Sequence, residues 1–288
     1  MSRFFRSEGG LSTWRKVALS SWAAPVNPTA YGVLDLECER ALAYVTALRE
    51  SSGERITLTH LVGKIAAMAI AAHPEVNGFA SAGRLMRRDT VDVFFQVAFF
   101  DDEVAKGAAA EGRGRRGGGK SANLAGAKIR EVDKKGVVEI ARELRQKAEA
   151  IRARGDADTA RSASRMSGVP GPLLGLALRA AAFLHYDLGF DLGPLGMPND
   201  GFGSCMVTNI GVFGIELGFA PLLPMARVPL LLTLGAVKDT PRVRDGQVLA
   251  TKALSIGVAF DHRIMDGYHA GVMADHFRRS FENPEGML

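Results

Sequence analysis

Three short apolar runs limit what this chain can fold into. Val91 to Phe100 is almost unbroken and rich in Val and Phe, and it reads as a strand buried on both faces. Leu230 to Val237 and Leu254 to Phe260 read as two more strands, and Cys205 to Thr208 runs as a fourth into the turn signal Asn209-Ile210-Gly211. Asp245-Gly246 between Val243 and Val248 predicts a hairpin.

Helical spacing fills the stretches between. Glu37 to Arg49 places Ala41, Leu42, Val45 and Leu48 on one face and stops at Gly53. Thr59 is the expected N-cap of a helix from Leu61 to Ala72, which His73-Pro74 ends because the residue before proline avoids the α region. Val137 to Arg154, Leu173 to Tyr186 and Tyr268 to Phe281 carry further helical patterns. Strands interleaved with helices define an α/β protein.

At 288 residues, with 47% apolar and 23% charged side chains, the chain is an ordinary globular one and can bury a sizeable core. Two cysteines, Cys38 and Cys205, exclude a disulfide scaffold and fit a reducing, cytoplasmic compartment. The net charge of +5 is mild, and neither a nucleic acid nor a membrane partner is expected from it. Leu173 to Leu184 is interrupted by Arg179 and falls short of the roughly 20 residues that a bilayer needs. Leu217 to Val237 is broken by Pro221, Pro224 and Pro229, and is expected as a buried irregular segment leading into a strand.

Glycine is in excess, 33 residues of 288 against a usual share of roughly 7%. Seven lie between Ala105 and Lys128 among scattered Lys and Arg, which predicts a basic loop. Within it, Gly114 to Ser121 satisfies the phosphate-loop string G-x-x-x-x-G-K-[ST]. No strand leads in and no helix start follows, so the chemistry of that loop is not expected.

The motif with chemical content is Asp261-His262-Arg263-Ile264-Met265-Asp266-Gly267, set between a strand and a helix. Backbone on both sides would hold His262 in a fixed orientation, as a general base requires. A carboxylate buried at Asp266 would need a cationic partner, best an arginine. His262, Asp266, His269 and His276 could also be read as metal ligands, but Gly267 interrupts the run and no second ligand cluster exists, so no metal is expected.

This stretch resembles the D-H-R-x-x-D-G signature of the acyltransferase (E2) catalytic domain of 2-oxoacid dehydrogenase complexes, a relative in fold of chloramphenicol acetyltransferase. Other segments follow in the family's order. Trp14-Arg15-Lys16 resembles its basic opening, Thr57-Leu58-Thr59 through Pro74-Glu75-Val76-Asn77 its first long helix, Val207 to Gly214 its T-I-S-N-L-G-x-x-G strand and turn, and Phe281 to Glu285 its ending.

The resemblance implies a two-layer sandwich of mixed sheet and helices that forms a homotrimer. Residues 14–288 would be the catalytic domain and 1–13 an arm. His262 would take the proton from a thiol, Thr208 would donate to the oxyanion, and Asp266 would be structural, with Arg15 as its ion-pair partner. Asn209 and Gly211 would line the substrate. His262 and Thr208 would meet between neighbouring subunits. Coenzyme A would be a substrate, and a lipoyl group would come only in trans, from another protein, because the chain shows no D-K-A lipoylation site. Met287-Leu288 resembles the tail that joins trimers into cages. The basic glycine-rich segment near 105–128 and an added apolar segment near 160–200 depart from the family and leave the acceptor open. Two alternatives stand beside this reading: a catalytically silent trimer or cage scaffold, and a small-molecule acetyltransferase of the chloramphenicol type, against which Asp261 speaks because that branch usually has histidine there.

Overall fold

The computed structural model describes residues 27–81, 84–99, 123–154, 171–195 and 200–287. Its centre is a seven-stranded mixed sheet. In chain order the strands and helices are β1 (Thr29–Glu37), α1 (Glu39–Ser52), α2 (Leu58–Ala72), β2 (Gly78–Ser81), β3 (Arg84–Arg87), β4 (Val93–Phe99), β5 (Asn123–Ile129), α3 (Val137–Arg154), α4 (Gly171–Ala182), β6 (Cys205–Asn209), β7 (Leu230–Leu234), β8 (Lys238–Arg244), β9 (Gln247–Asp261), α5 (Gly267–Glu282) and α6 (Pro284–Met287). The sheet runs β1-β9-β7-β6-β4-β5, with β8 also paired to β9, and β2-β3 form a separate hairpin. Strands β4, β6 and β7 are parallel to one another, while β1, β9 and β5 run antiparallel to their neighbours.

The apolar runs became strands because each offers side chains to both faces of the sheet. Val207, Leu230, Leu232, Leu234 and Ile256 join the main core under α1, α2, α3 and α5. Met206, Leu231 and Ala259 point the other way, into a smaller cluster with Ala226 and Val228. Helices therefore cover one face, and irregular chain between residues 217 and 229 covers part of the other, giving the expected two-layer sandwich.

α2 is the central helix, buried from Leu61 through Ala67, and the one charge in that run, Lys64, is itself covered, its Nζ donating to Asp133 O at 2.7 Å. It begins one turn earlier than expected. Thr57 occupies the cap and its backbone N–H donates to His60 Nδ1 at 3.0 Å, so Thr59 lies inside the helix. α1 ends at Gly53 in the left-handed conformation (φ 68°), whose N–H returns to Arg49 O. At the hairpin, Asp245 and Gly246 both have positive φ, and Val243 pairs with Val248.

Two expectations need correction, and one strand had no expectation attached to it. The basic loop does not extend to Lys128, since residues 123–129 form β5 against β4. Gly126 belongs to that ladder, where a Cβ would lie 2.0 Å from Phe94 Cζ. The stretch after Leu217 is only half buried: Leu217, Phe219, Leu223 and Met225 are exposed, while Ala226 and Val228 are covered. One layer of irregular chain on a sheet buries only its inward side. β1, finally, was not expected as a strand. The arm 1–13 and the phosphate-loop-like string lie outside the described residues.

Candidate active site

His262 follows the last residue of β9. Its backbone N–H donates to Pro28 O at 2.8 Å, and Ile264 and Met265 donate back to Asp261 O, so the turn is fixed from both sides. The imidazole is exposed and, among the described residues, makes no hydrogen bond; its nearest ring is Phe260, centroids 6.0 Å apart. A rigid backbone carrying an unengaged ring is the arrangement that a general base needs.

The burial weighed for Asp266 falls on the other aspartate of the motif. Asp261 is the buried one, and its carboxylate is met by Arg263 from the same turn, with Nη2 to Oδ2 at 2.6 Å. Asp266 is exposed and caps α5. Its Oδ1 accepts from the Tyr268 and His269 N–H groups at 3.0 and 3.2 Å and lies 2.7 Å from His269 Nδ1. The His269 amide, with the His269 ring, holds the Asp266 carboxyl below its ordinary range. A helix N-terminus presents free amides, so this carboxylate needs no arginine to be satisfied. Arg15, the expected partner, lies outside the described residues.

Thr208 lies on the sheet face away from the helices, level with Gln96 on β4 and Thr233 on β7, in the ladder that continues to Gly257. Thr233 Oγ1 is buried with no hydrogen-bond partner. Gln96 and Thr233 are polar residues inside otherwise apolar strands, the signal by which a sequence marks such positions.

Asn209 and Gly211 serve the backbone around Thr208. Asn209 Nδ2 donates to Thr59 Oγ1 at 3.0 Å, tying the end of β6 to the start of α2. A Cβ on Gly211 would lie 2.4 Å from Gly235 O, so only glycine lets the two strand ends approach. Gly235 and Gly257 admit the 216–218 backbone in the same way, with Cβ positions 1.8 Å from Glu216 O and 2.0 Å from Gly218 O.

The register keeps His262 and Thr208 apart within one chain. Phe260 is level with Leu230 and Cys205, and Thr208 is level with Gly257 two strands away. At ~3.3 Å per residue along a strand, His262 sits on the order of 15 Å beyond the level of Thr208. Among the described residues, no group of three or more His, Cys, Asp or Glu could hold a metal ion. No helix among them is long and apolar enough to cross a membrane.

The mixed sheet under one helical layer is a fold shared with solved acetyltransferase cores of 2-oxoacid dehydrogenase complexes. The chain is similar over 98% of its length, with a TM-score of 0.61 and 17% identity, to the cubic core of a pyruvate dehydrogenase multienzyme complex, of which it covers 94%. It is similar over 96% of its length, with a TM-score of 0.58 and 16% identity, to a probable dihydrolipoamide acetyltransferase from Listeria monocytogenes, of which it covers 94%. Residues 199–288 match the family 2-oxoacid dehydrogenases acyltransferase (catalytic domain), so the family read from the motifs holds for this stretch. Over 85 residues, 30% of the chain, it is 34% identical to the dihydrolipoyllysine-residue acetyltransferase component of the pyruvate dehydrogenase complex of Bacillus subtilis, and it spans 19% of that relative's length.

Proposed function

We propose that this chain is an acyltransferase of the E2 type, moving an acyl group between coenzyme A or dihydrolipoamide and an acceptor. The observation that carries the proposal is the exposed, unengaged ring of His262 on a turn fixed by backbone hydrogen bonds, inside the stretch that matches the acyltransferase family. His262 removes the proton from the attacking thiol, whose free pKa of about 8.5 keeps it mostly protonated at neutral pH. The sulfur attacks the thioester carbonyl, and the Thr208 hydroxyl donates to the resulting oxyanion. Collapse breaks the original C–S bond, and the departing thiolate takes the proton back from His262. Asn209 and Gly211 act as positioning residues, fixing the strand end that carries Thr208.

Because one chain keeps Thr208 and His262 apart, a site using both requires two copies, which the homotrimer implied by the family resemblance would supply. Exposed Tyr31, Val33, Ile215 and Phe219 offer the apolar surface for that contact, with Tyr31 and Phe219 already edge to face at 5.6 Å. A lipoyl group supplied in trans and a cytoplasmic setting belong to the same reading; both thiols, Cys38 and Cys205, are buried and free.

The test is thiol release from acetyl-coenzyme A with dihydrolipoamide as acceptor. His262→Ala should lower kcat by about 10²–10⁴ and Thr208→Val by about 10²–10³. Equal mixtures of the two variants, refolded together, should recover roughly a quarter of wild-type activity, the share of interfaces with one intact residue from each copy. No His262-dependent release with any acceptor would leave the scaffold reading. Full loss without recovery on mixing would place both residues in one chain's site.

A further inference from the structure

Gly126, Gln96, Thr208, Thr233 and Gly257 stand level across the sheet, on β5, β4, β6, β7 and β9. Phe94, Met206, Leu231 and Ala259, each two residues away along a strand, belong to the small cluster on the face away from the helices. Side chains alternate along a strand, so Gln96, Thr208 and Thr233 share that face.

Both ends of this row are roofed. A Cβ on Gly126 would lie 2.0 Å from Phe94 Cζ, and one on Gly257 2.0 Å from Gly218 O. The Phe94 ring and the backbone at Gly218 therefore stand where side chains would be. Thr233, beside Gly257, is covered too, and its hydroxyl is buried without a partner. Gln96 and Thr208 stay half-exposed between these two walls. Among the described residues, neither side chain makes a hydrogen bond.

Strand spacing sets what Gln96 can reach. Neighbouring strands lie about 4.8 Å apart, so its carboxamide starts one strand away from the hydroxyl assigned to the oxyanion. The group offers donors and acceptors at once. A substrate that covers it without pairing it strands those atoms away from water, and a site built this way rejects such a substrate.

The position of Gln96 in the chain assigns it to the acceptor. Thr208 and His262 lie inside the matched stretch 199–288, whereas Gln96 lies outside it, paired with β5 in the segment where the chain departs from the family. The reacting groups belong to the matched half, and what they leave open is the acceptor.

We propose that Gln96 is a specificity-determining residue that selects an acceptor carrying a hydroxyl or amide group within two carbons of its attacking atom. This rests on the acyltransferase reading.

A matched pair of acceptors tests it. Dithiothreitol carries a hydroxyl on the carbon next to each thiol-bearing carbon, and butanedithiol is the same chain without hydroxyls. With acetyl-coenzyme A as donor, the acetyl C–S bond to coenzyme A breaks as one to the acceptor sulfur forms. The acceptor's proton passes through His262 to the departing thiolate. Chromatography reads the acetyl thioester, after subtraction of the rate without enzyme. The ratio of kcat/KM for dithiothreitol over butanedithiol should be about tenfold higher in wild type than in Gln96→Leu. Both rates come from one preparation, so the ratio is independent of the folded fraction. An equal ratio in the two proteins would overturn the assignment and leave the acyltransferase reading standing. So would an equal ratio accompanied by a raised KM for acetyl-coenzyme A, which would move Gln96 to the donor. Transfer to dihydrolipoamide but to neither dithiol also sinks the assignment alone. No His262-dependent transfer to any of the three acceptors sinks both readings.

Discussion

His60 carries a pH dependence that can be worked out from its surroundings. Burial at the start of α2 lowers its pKa to about 4, because an imidazolium there loses water, and the charges of Arg49 and Arg55 push the same way. A histidine whose folded pKa lies below its unfolded value of about 6.5 binds more protons when unfolded. The stability it protects is therefore complete above pH 6.5 and is lost as pH falls towards 4, by on the order of 3 kcal/mol. His60→Gln keeps an acceptor for the capping hydrogen bond and removes the titration. Urea midpoints measured from pH 7 to 4 should fall less steeply in the variant than in wild type. At Asp266 the expected result is milder: Asp266→Ala removes the cap of α5 and lowers Tm, while Asp266→Asn retains most of it, as thermal unfolding would show. The histidine turn was legible from sequence because its motif lies within seven residues, although the bond from His262 N–H to Pro28 O that helps fix it does not. The partner of Asp266 was not, because choosing between a distant arginine and a helix terminus requires knowing which carboxylate is buried.

Between elements, close backbone approach decides the geometry around Thr208. Gly235→Ala would place a methyl 1.8 Å from the Glu216 carbonyl, and a backbone atom cannot swing aside as a side-chain tip can. We expect a loss of about 1–3 kcal/mol in urea unfolding, together with reduced kcat, because the 211–218 segment must lift off the sheet. Gly246→Ala at the hairpin tip meets no neighbour, so its cost should come only from the positive φ of 77°. The same contrast explains what sequence could and could not reveal. The Asp245-Gly246 turn announces itself through local backbone preference. β1 does not, because as an edge strand it mixes exposed Tyr31, Val33 and Asp35 with buried Leu34 and Leu36, and a glycine interrupts its pattern. β5 was hidden by a neighbouring glycine-rich composition, and its assignment depends on the distant ladder with β4.

Across the whole molecule, the Arg88–Asp200 pair joins the β2–β3 hairpin side to the segment leading into β6. Arg88 is almost covered; burial alone would raise the Asp200 carboxyl, but the guanidinium beside it holds it below the ordinary range. Arg88→Met would strand that charge and should cost about 3–5 kcal/mol in chemical unfolding, whereas adding Asp200→Asn should recover much of the loss. The sheet also imposes an order on the birth of the protein. β1 pairs along its full length with β9, and the Asp35–Ser255 hydrogen bond within that pair spans 220 residues of chain. At roughly 5–20 residues per second, a nascent chain presents β1 for about 10–40 s before β9, the strand it pairs with, has been made. During that interval an edge strand is open to pairing with other chains, so yield in the cell should depend on what shields the first strand until the last one leaves the ribosome.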